Sequence, residues 1–431
     1  RFYHKLVSRY NTYFNGNEAF KQGVNQLAQN HKDDYTQVLN VFPYGSETDA
    51  MSIFATMDRA NEKASKVILK HSMSFNNVEH NPWVIKSYML IGKSRFFKRD
   101  YLAATETFDF ITKKYASDPI KHDANLWLAK THLYAGRIHK SESLFGILEY
   151  QIQAGNTSKN VSQMYPRVRA QYHINLGEFD DAIKYVEMAL EQKQKHKDKI
   201  RLNFIAAQLY QRIENNSKAV EYYQKALKLN PPYDIAFRAK LFMAECYDSR
   251  SGENDFIVRE LQKMLKDAKN KDYLDEIYYA LSQIELNKKD TIKAVEFLNL
   301  STSSSTDNVI QKGLSFLKLG EIHFMQKKYR PAKLYYDSTI VFLPKTYSNY
   351  VNIEEKSKVL NELTINLEII ELQDSLQKIS ALSEKELLAK IDDLIREVIR
   401  QEELEKQQKK DEELAVMGQS FGPGMMGKPV S

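Results

Sequence analysis

An all-α fold built from tandem helix pairs is what this 431-residue sequence predicts, and three observations predict it. Small residues recur at a nearly constant interval through the middle of the chain. Glycine (15) and proline (10) are scarce, too few for the many tight turns of a chain built from short strands. Tyrosine (26) and phenylalanine (21) are plentiful, and helical repeats use such rings to fill the seams between helices.

The recurring positions are Ala104, Ser141, Ala182, Ala219, Val258, Ala294 and Ala332, separated by 36 to 41 residues. The fullest copy runs Phe316-Leu-Lys-Leu-Gly320, His323-Phe324, Tyr329, Ala332, Tyr336 and Pro344. Gly320 and Ala332 are expected where two helices cross, since a larger side chain would push the backbones apart, and Pro344 to end the second helix. This is the pattern of the tetratricopeptide repeat, two antiparallel helices in about 34 residues with small residues at positions 8 and 20. A second copy carries Ala207, Tyr210, Ala219, Tyr223, Ala226 and Leu229-Asn230-Pro231, and a third Gly177, Phe179, Ala182, Val186 and Ala189. Further copies start near Trp83 (Gly92, Tyr101, Ala104, Phe108) and Asn125 (Ala129, Gly136, Phe145). Weaker ones lie near Phe237 (Ala244, Tyr247) and Tyr278 (Leu281, Ala294, Leu298). Every interval exceeds ~34 residues, so a lengthened helix or loop is expected in most repeats. The prediction is a superhelical solenoid of about seven repeats over 81–345.

Residues 1–80 read as an N-terminal helical cap of two or three helices, one of them Asp49–His71. Residues 346–414 read as C-terminal helices. There Ser383-Glu-Lys-Glu386 fits a capping box, and the spacing of Leu387, Ile391, Leu394, Ile395 and Val398 predicts a buried stripe. Gln401–Glu413 is nearly all charge and amide, a solvated helix, and 415–431, with GPGMMGKP, is expected to be a flexible tail.

Several function classes are set aside on residues. The net charge of +6 comes from basic and acidic residues that interleave, which describes a solvated helical surface better than a nucleic-acid footprint. The most basic run, Lys193–Arg201, is expected between two helices. The one cysteine, Cys246, makes no intramolecular disulfide and no structural zinc site, and no apolar run approaches the ~18 residues of a membrane span. Gly92-Lys93-Ser94 lacks the glycine five residues earlier that a phosphate loop needs, since position 87 is serine. His132, His173 and His323 share position 11 of their repeats, the slot of Tyr210, which predicts packing. They lie too far apart in the chain to share a metal. There is no HExxH pair, and Gly313-Leu-Ser315 lacks the closing glycine of a nucleophile elbow. The reading is a non-enzymatic protein without cofactor, metal, nucleic-acid or small-molecule partner.

What remains is the concave face, lined by the first helix of each repeat. Counting repeat positions places Arg167, Gln171 and Asn175 there from one repeat and Arg201, Gln208 and Arg212 from the next. These six, expected to face solvent, are the candidate partner-binding residues. Their chemistry suits an extended or acidic segment held by charge-assisted bonds.

The opening of the chain carries a narrower pattern: Phe2-Tyr3-His4, then Arg9-Tyr10-Asn11-Thr12-Tyr13-Phe14-Asn15-Gly16-Asn17, then His31-Lys32-Asp33-Asp34-Tyr35. Pro43-Tyr44-Gly45, Ala60, Lys63, Ala64 and Trp83 continue it. This stretch resembles the SprE/PorW lipoproteins of the Bacteroidetes type IX secretion system, which also serve gliding motility. The resemblance implies a periplasmic scaffold anchored to the inner leaflet of the outer membrane, linking the translocon to other periplasmic subunits. It further implies a lipid-bearing cysteine upstream of Arg1 and an aromatic-rich segment beyond Ser431. The alternative from the repeats alone is a co-chaperone-like module that grips short partner segments.

Overall fold

The computed structural model describes residues 2–76, 78–247, 255–347 and 349–420, with 411–420 as backbone. The chain divides into two compact units, 1–305 and 306–431. The first opens with α1 (Phe2–Val7), a π-helical turn (Ser8–Tyr13) and α2 (Phe14–Asn30). An irregular stretch leads to α3 (Glu47–Met51) and α4 (Phe54–His71). A minimal antiparallel hairpin follows, β1 (Ser74–Phe75) and β2 (Val78–Glu79), pairing Ser74 with Glu79 and Phe75 with Val78.

Six helix pairs then succeed one another. They are α5 (Pro82–Phe97) with α6 (Tyr101–Lys114), α7 (Ile120–Tyr134) with α8 (Ile138–Gln153), and α9 (Lys159–Leu176) with α10 (Phe179–Glu191). After them come α11 (His196–Arg212) with α12 (Asn216–Leu227), α13 (Tyr233–Glu245) with α14 (Asp255–Lys266), and α15 (Leu274–Asn287) with α16 (Thr291–Ser304). A 3₁₀ turn, Ala268–Tyr273, joins α14 to α15. The second unit holds a seventh pair, α17 (Val309–Met325) and α18 (Tyr329–Phe342), then α19 (Tyr350–Ser380) and α20 (Glu384–Ser420).

The seven pairs fall on the seven repeats read from the sequence. Ala104, Ser141, Ala182, Ala219, Ala294 and Ala332 are all fully buried at their helix crossings. Val258 departs from the register: it is half-buried, and Ile257 takes the inner position with Leu261 and Met264 behind it. Nine residues separate α13 from α14, against two or three in the other pairs, so spacing carried over from neighbouring repeats slips there. The tight turns share one device, a left-handed residue just after the first helix: Arg99, Gly136, Gly177, Glu214, Lys289 and Lys327 all have φ between 60 and 75°. Asp100, Asn215 and Asp290 follow it and cap the second helix by accepting from the backbone N–H three residues on.

Close approach explains Gly92. A Cβ there would lie 2.6 Å from a ring carbon of Phe108, itself fully buried. Gly92→Ala is expected to cost about 1–3 kcal/mol through overpacking. Gly146, exposed in α8 with open space beside it, should instead gain about 0.5–1 kcal/mol as alanine, because glycine loses more backbone freedom on entering a helix. Urea melts of the two variants check both signs.

In the second unit, Ala332, Tyr336, Leu343, Tyr350, Ile353 and Leu360 form a core between α17, α18 and the first half of α19. The predicted capping box is present: Ser383 N–H donates to Glu386 Oε2 at 2.9 Å, and Glu386 N–H to Ser383 Oγ at 3.4 Å. The stripe behind it is not buried as expected. Ile391, Leu394, Ile395 and Val398 are exposed and Leu387 is half-buried, because helical spacing aligns a face whereas burial needs a second element to cover it. α20 runs through Ser420, beyond the expected boundary at 414, and the predicted tail from 421 on lies outside the described residues.

Candidate functional site

The concave face of the first unit is occupied by its own chain. From His31 to Ser46 the backbone has no helix or strand, and this strap crosses the first helices of successive repeats, from α13 back to α5. Residues 1–80, read as a helical cap, thus also supply this non-helical strap.

The grip starts at Asp33. Arg201 donates to both its carboxylate oxygens, at 2.8 and 2.7 Å, and the Arg201 Nε donates to the Asn40 carbonyl at 2.7 Å. Gln208 reads the strap backbone in both directions: its Oε1 accepts from Leu39 N–H and its Nε2 donates to the Gln37 carbonyl, each at 2.9 Å. Gln171 accepts from Val41 N–H at 2.7 Å and donates to Asn40 Oδ1 at 3.0 Å and to Asn175 Oδ1 at 2.7 Å. Arg212 donates to the Thr36 carbonyl at 3.3 Å. Arg167 pairs with Asp198 at 3.0 Å while its guanidinium stands over the Phe42 ring.

All six sequence-predicted residues therefore lie on one face, and the structure brings every one to the strap or to a neighbour that holds it. The expectation of solvent-facing side chains fails for three: Gln171, Arg201 and Gln208 are 1%, 8% and 6% exposed. Arg167 is half-buried; Asn175 and Arg212 are exposed. Sequence reasoning missed the other half of the site. Leu39, Val41 and Phe42 of the strap are buried in the core of the array. Tyr35 sits edge-on to Phe204, and Tyr44 packs among Phe96, Phe97 and Tyr134. Lys130, also missed, is 1% exposed and lies in a cage: its ammonium is 3.4 Å from the Phe42 centroid, 4.8 Å from that of Trp127, and donates to the Tyr44 hydroxyl. The signal available was a stretch without helical period containing Pro43 and Gly45, flanked by clear helices.

The electrostatics follow from burial. Burial pushes Lys130 well below the usual lysine range, and Arg167 and Lys93 add to the effect. For Asp33, burial opposes ionisation, but hydrogen bonds from His31 and Arg201 and the charge of Arg201 outweigh it and hold the carboxyl well below its ordinary value. A depressed carboxyl contributes stability that is complete above the unfolded value of about 3.9 and is lost as pH falls toward the folded one. The strap is thus expected to stay seated from neutrality to about pH 4 and to loosen below it. Acid titration of wild type against Asp33→Asn should show the wild-type advantage vanish only under about pH 4.

The other candidate chemistries resolve into packing. Gly92-Lys93-Ser94 lies inside α5, and Ser94 Oγ donates to the Leu90 carbonyl. The basic run Lys193–Arg201, expected between helices, enters α11 at His196, and its last residue is the buried Arg201. His173 stacks on Tyr185, Tyr210 on Tyr222 and His323 on Tyr335, with interplanar angles of 8–17°. Position 11 of the first helix thus meets a ring of the second helix in each of these copies. Among the described residues, His173, Glu178 and Asp181 form a trio whose ligand atoms lie within 4.8 Å of one another. His173 Nδ1 is within hydrogen-bond distance of Glu178, at 2.7 Å, and Lys184 forms an ion pair with Asp181 at 2.9 Å, so both carboxylates have partners. Among the described residues no helix is long and apolar enough to cross a membrane.

Known proteins supply a limited comparison. No curated protein matches the chain. A tetratricopeptide repeat protein from Parabacteroides merdae is 16% identical, with 64% of this chain and 98% of that one covered and a TM-score of 0.41. The apo form of RapI is 15% identical over 73% and 90%, TM-score 0.45. The C-terminal part of a TPR repeat-containing protein from Cytophaga hutchinsonii is 14% identical over 72% and 99%, TM-score 0.36. Residues 200–233, from within α11 through α12 to the start of α13, match the tetratricopeptide repeat family. Six of the seven helix pairs bury the small residue that this repeat places at its crossing, and the chain has the all-α tetratricopeptide-repeat fold.

Proposed function

We propose that this chain is a non-enzymatic scaffold of the type IX secretion system, periplasmic and lipid-anchored at the inner leaflet of the outer membrane. There it links the outer-membrane translocon to other periplasmic subunits and, where cells glide, serves gliding motility. The observation that supports this reading is the N-terminal pattern together with the repeat array. Some residues of that pattern pack against one another in the fold. Tyr13 packs on Trp83, Gly16 lies against Lys63 and Ala60, and Asp33, Tyr35 and Tyr44 belong to the strap. A rigid array with an internally secured groove suits an adaptor, which must hold fixed distances between partners. The test is purification of the tagged protein from membranes under mild detergent. Translocon proteins at fixed stoichiometry are the expected result; recovery from the cytoplasm without membrane partners would overturn it. The alternative, a receptor for short segments, is favoured by one observation: the groove holds an extended segment, and that segment is its own.

A further inference from the structure

We propose that the groove of α7, α9 and α11 is a receptor for an extended acidic and aromatic segment of a partner protein, and that residues 33–44 are the internal occupant which that segment displaces. The inference rests on the protein-interaction reading and not on the secretion assignment.

The groove recognises the strap in a way that transfers to another chain. Gln171, Gln208 and Arg201 address backbone N–H and C=O groups of Gln37, Leu39, Asn40 and Val41. Main-chain bonds of this kind are available to any extended segment, while pockets for particular side chains give selectivity. Here the pockets are three: the Arg201 fork for a carboxylate, an apolar floor for Leu39 and Val41, and the cage of Lys130, Trp127 and Phe96 for the rings of Phe42 and Tyr44. The matching segment carries an acidic residue, then about six residues further on an aliphatic pair and two aromatic rings in extended backbone.

Charge selects the same occupant. Lys130 and Arg201 are buried, and their partners at the site, Tyr44, Phe42, Asp33 and Asn40, come from the strap. A lifted strap would leave the Arg201 cation uncompensated and Lys130 without the Tyr44 hydroxyl and the Phe42 ring, a costly state. The strap therefore leaves in exchange for a segment that restores a carboxylate and ring faces, which makes release conditional on the right partner. Lifting it need not unfold its neighbours. Leu27 of α2 and Met57 of α4 bury their side chains with α5 and α6 in a cluster that the strap touches through Tyr44, and a cavity of about 160 Å³ lined by Leu27, Tyr44, Phe97 and Tyr134 lies beside that contact.

The experiment uses the full chain and a fluorescein-labelled peptide of residues 31–45, HKDDYTQVLNVFPYG, followed by anisotropy. Wild type should bind it weakly, since the tethered strap competes at an effective concentration of order millimolar. Asp33→Asn, which loosens the internal copy, should bind at least about tenfold more tightly. Adding Arg201→Glu should abolish the gain, and a scrambled peptide of the same composition should not bind. No gain in Asp33→Asn, or equal binding of the scrambled peptide, overturns the proposal. Native-state hydrogen exchange on the unmodified chain gives a second reading free of mutation. The Leu39 and Val41 amides should exchange at least about a hundredfold faster than those of Ala206 and Leu209 in α11, showing the strap opening alone. Equal rates would make the strap a permanent part of the core and overturn the proposal. Neither result depends on which secretion proteins are present, so this inference and the scaffold reading fail separately.

Discussion

Arg201→Glu should lower the stability of the first unit by about 3–5 kcal/mol, the range for breaking a buried ion pair by removing one partner. Arg201 spends its Nε and both terminal nitrogens on Asp33 and the Asn40 carbonyl at 2.7–2.8 Å. The reversed charge faces Asp33 directly and takes the Nε donor away from the Asn40 carbonyl. The effect is expected as early loss of the strap followed by a lowered melt of the array, seen by near- and far-UV circular dichroism respectively. An apolar pair, Arg201→Met with Asp33→Leu, should recover much of the loss, because the cost lies in the uncompensated charge. A melt of Arg201→Glu equal to wild type would place Arg201 in water and remove the strap from the groove.

Ala332→Arg should be equally damaging in the second unit. Ala332 is fully buried where α18 crosses α17, and its helix partner Gly320 already sits 3.2 Å, measured from a built Cβ, from the Tyr336 ring. A long charged side chain there costs several kcal/mol through overpacking and burial of an unpaired charge, on the order of 3 or more. Ala332→Ser, close to the Ser141 that another repeat uses at the same position, should cost less than about 1 kcal/mol. Equal thermal melts of the arginine and serine variants would put residue 332 outside the helix crossing.

How much of this was legible follows from what each feature depends on. The small residues at the crossings are set by local geometry, since two backbones approach there in every repeat. They were readable wherever the turn length was constant and slipped at Val258, where nine residues intervene. The six concave-face residues were readable from repeat counting for the same reason. The strap was not: Asp33 and Arg201 lie 168 residues apart, and no periodicity links them. A loop shows its composition but not the surface it crosses. Arg201 thus read as a solvated charge and Lys130 drew no reading at all, although a distant segment covers both. The stripe on α20 fails in the opposite sense, with a face present in the sequence and no described element to cover it.

The central claim, that residues 33–44 are seated in the groove, is tested most directly by a double-mutant cycle on Asp33 and Arg201. Asp33→Ala, Arg201→Ala and the double variant are each unfolded in urea as full chains. A seated strap requires a coupling of at least about 1.5 kcal/mol, the lower bound for close charge pairs that share hydrogen bonds. Costs that add within about 0.5 kcal/mol, as for distant and independent sites, would contradict it.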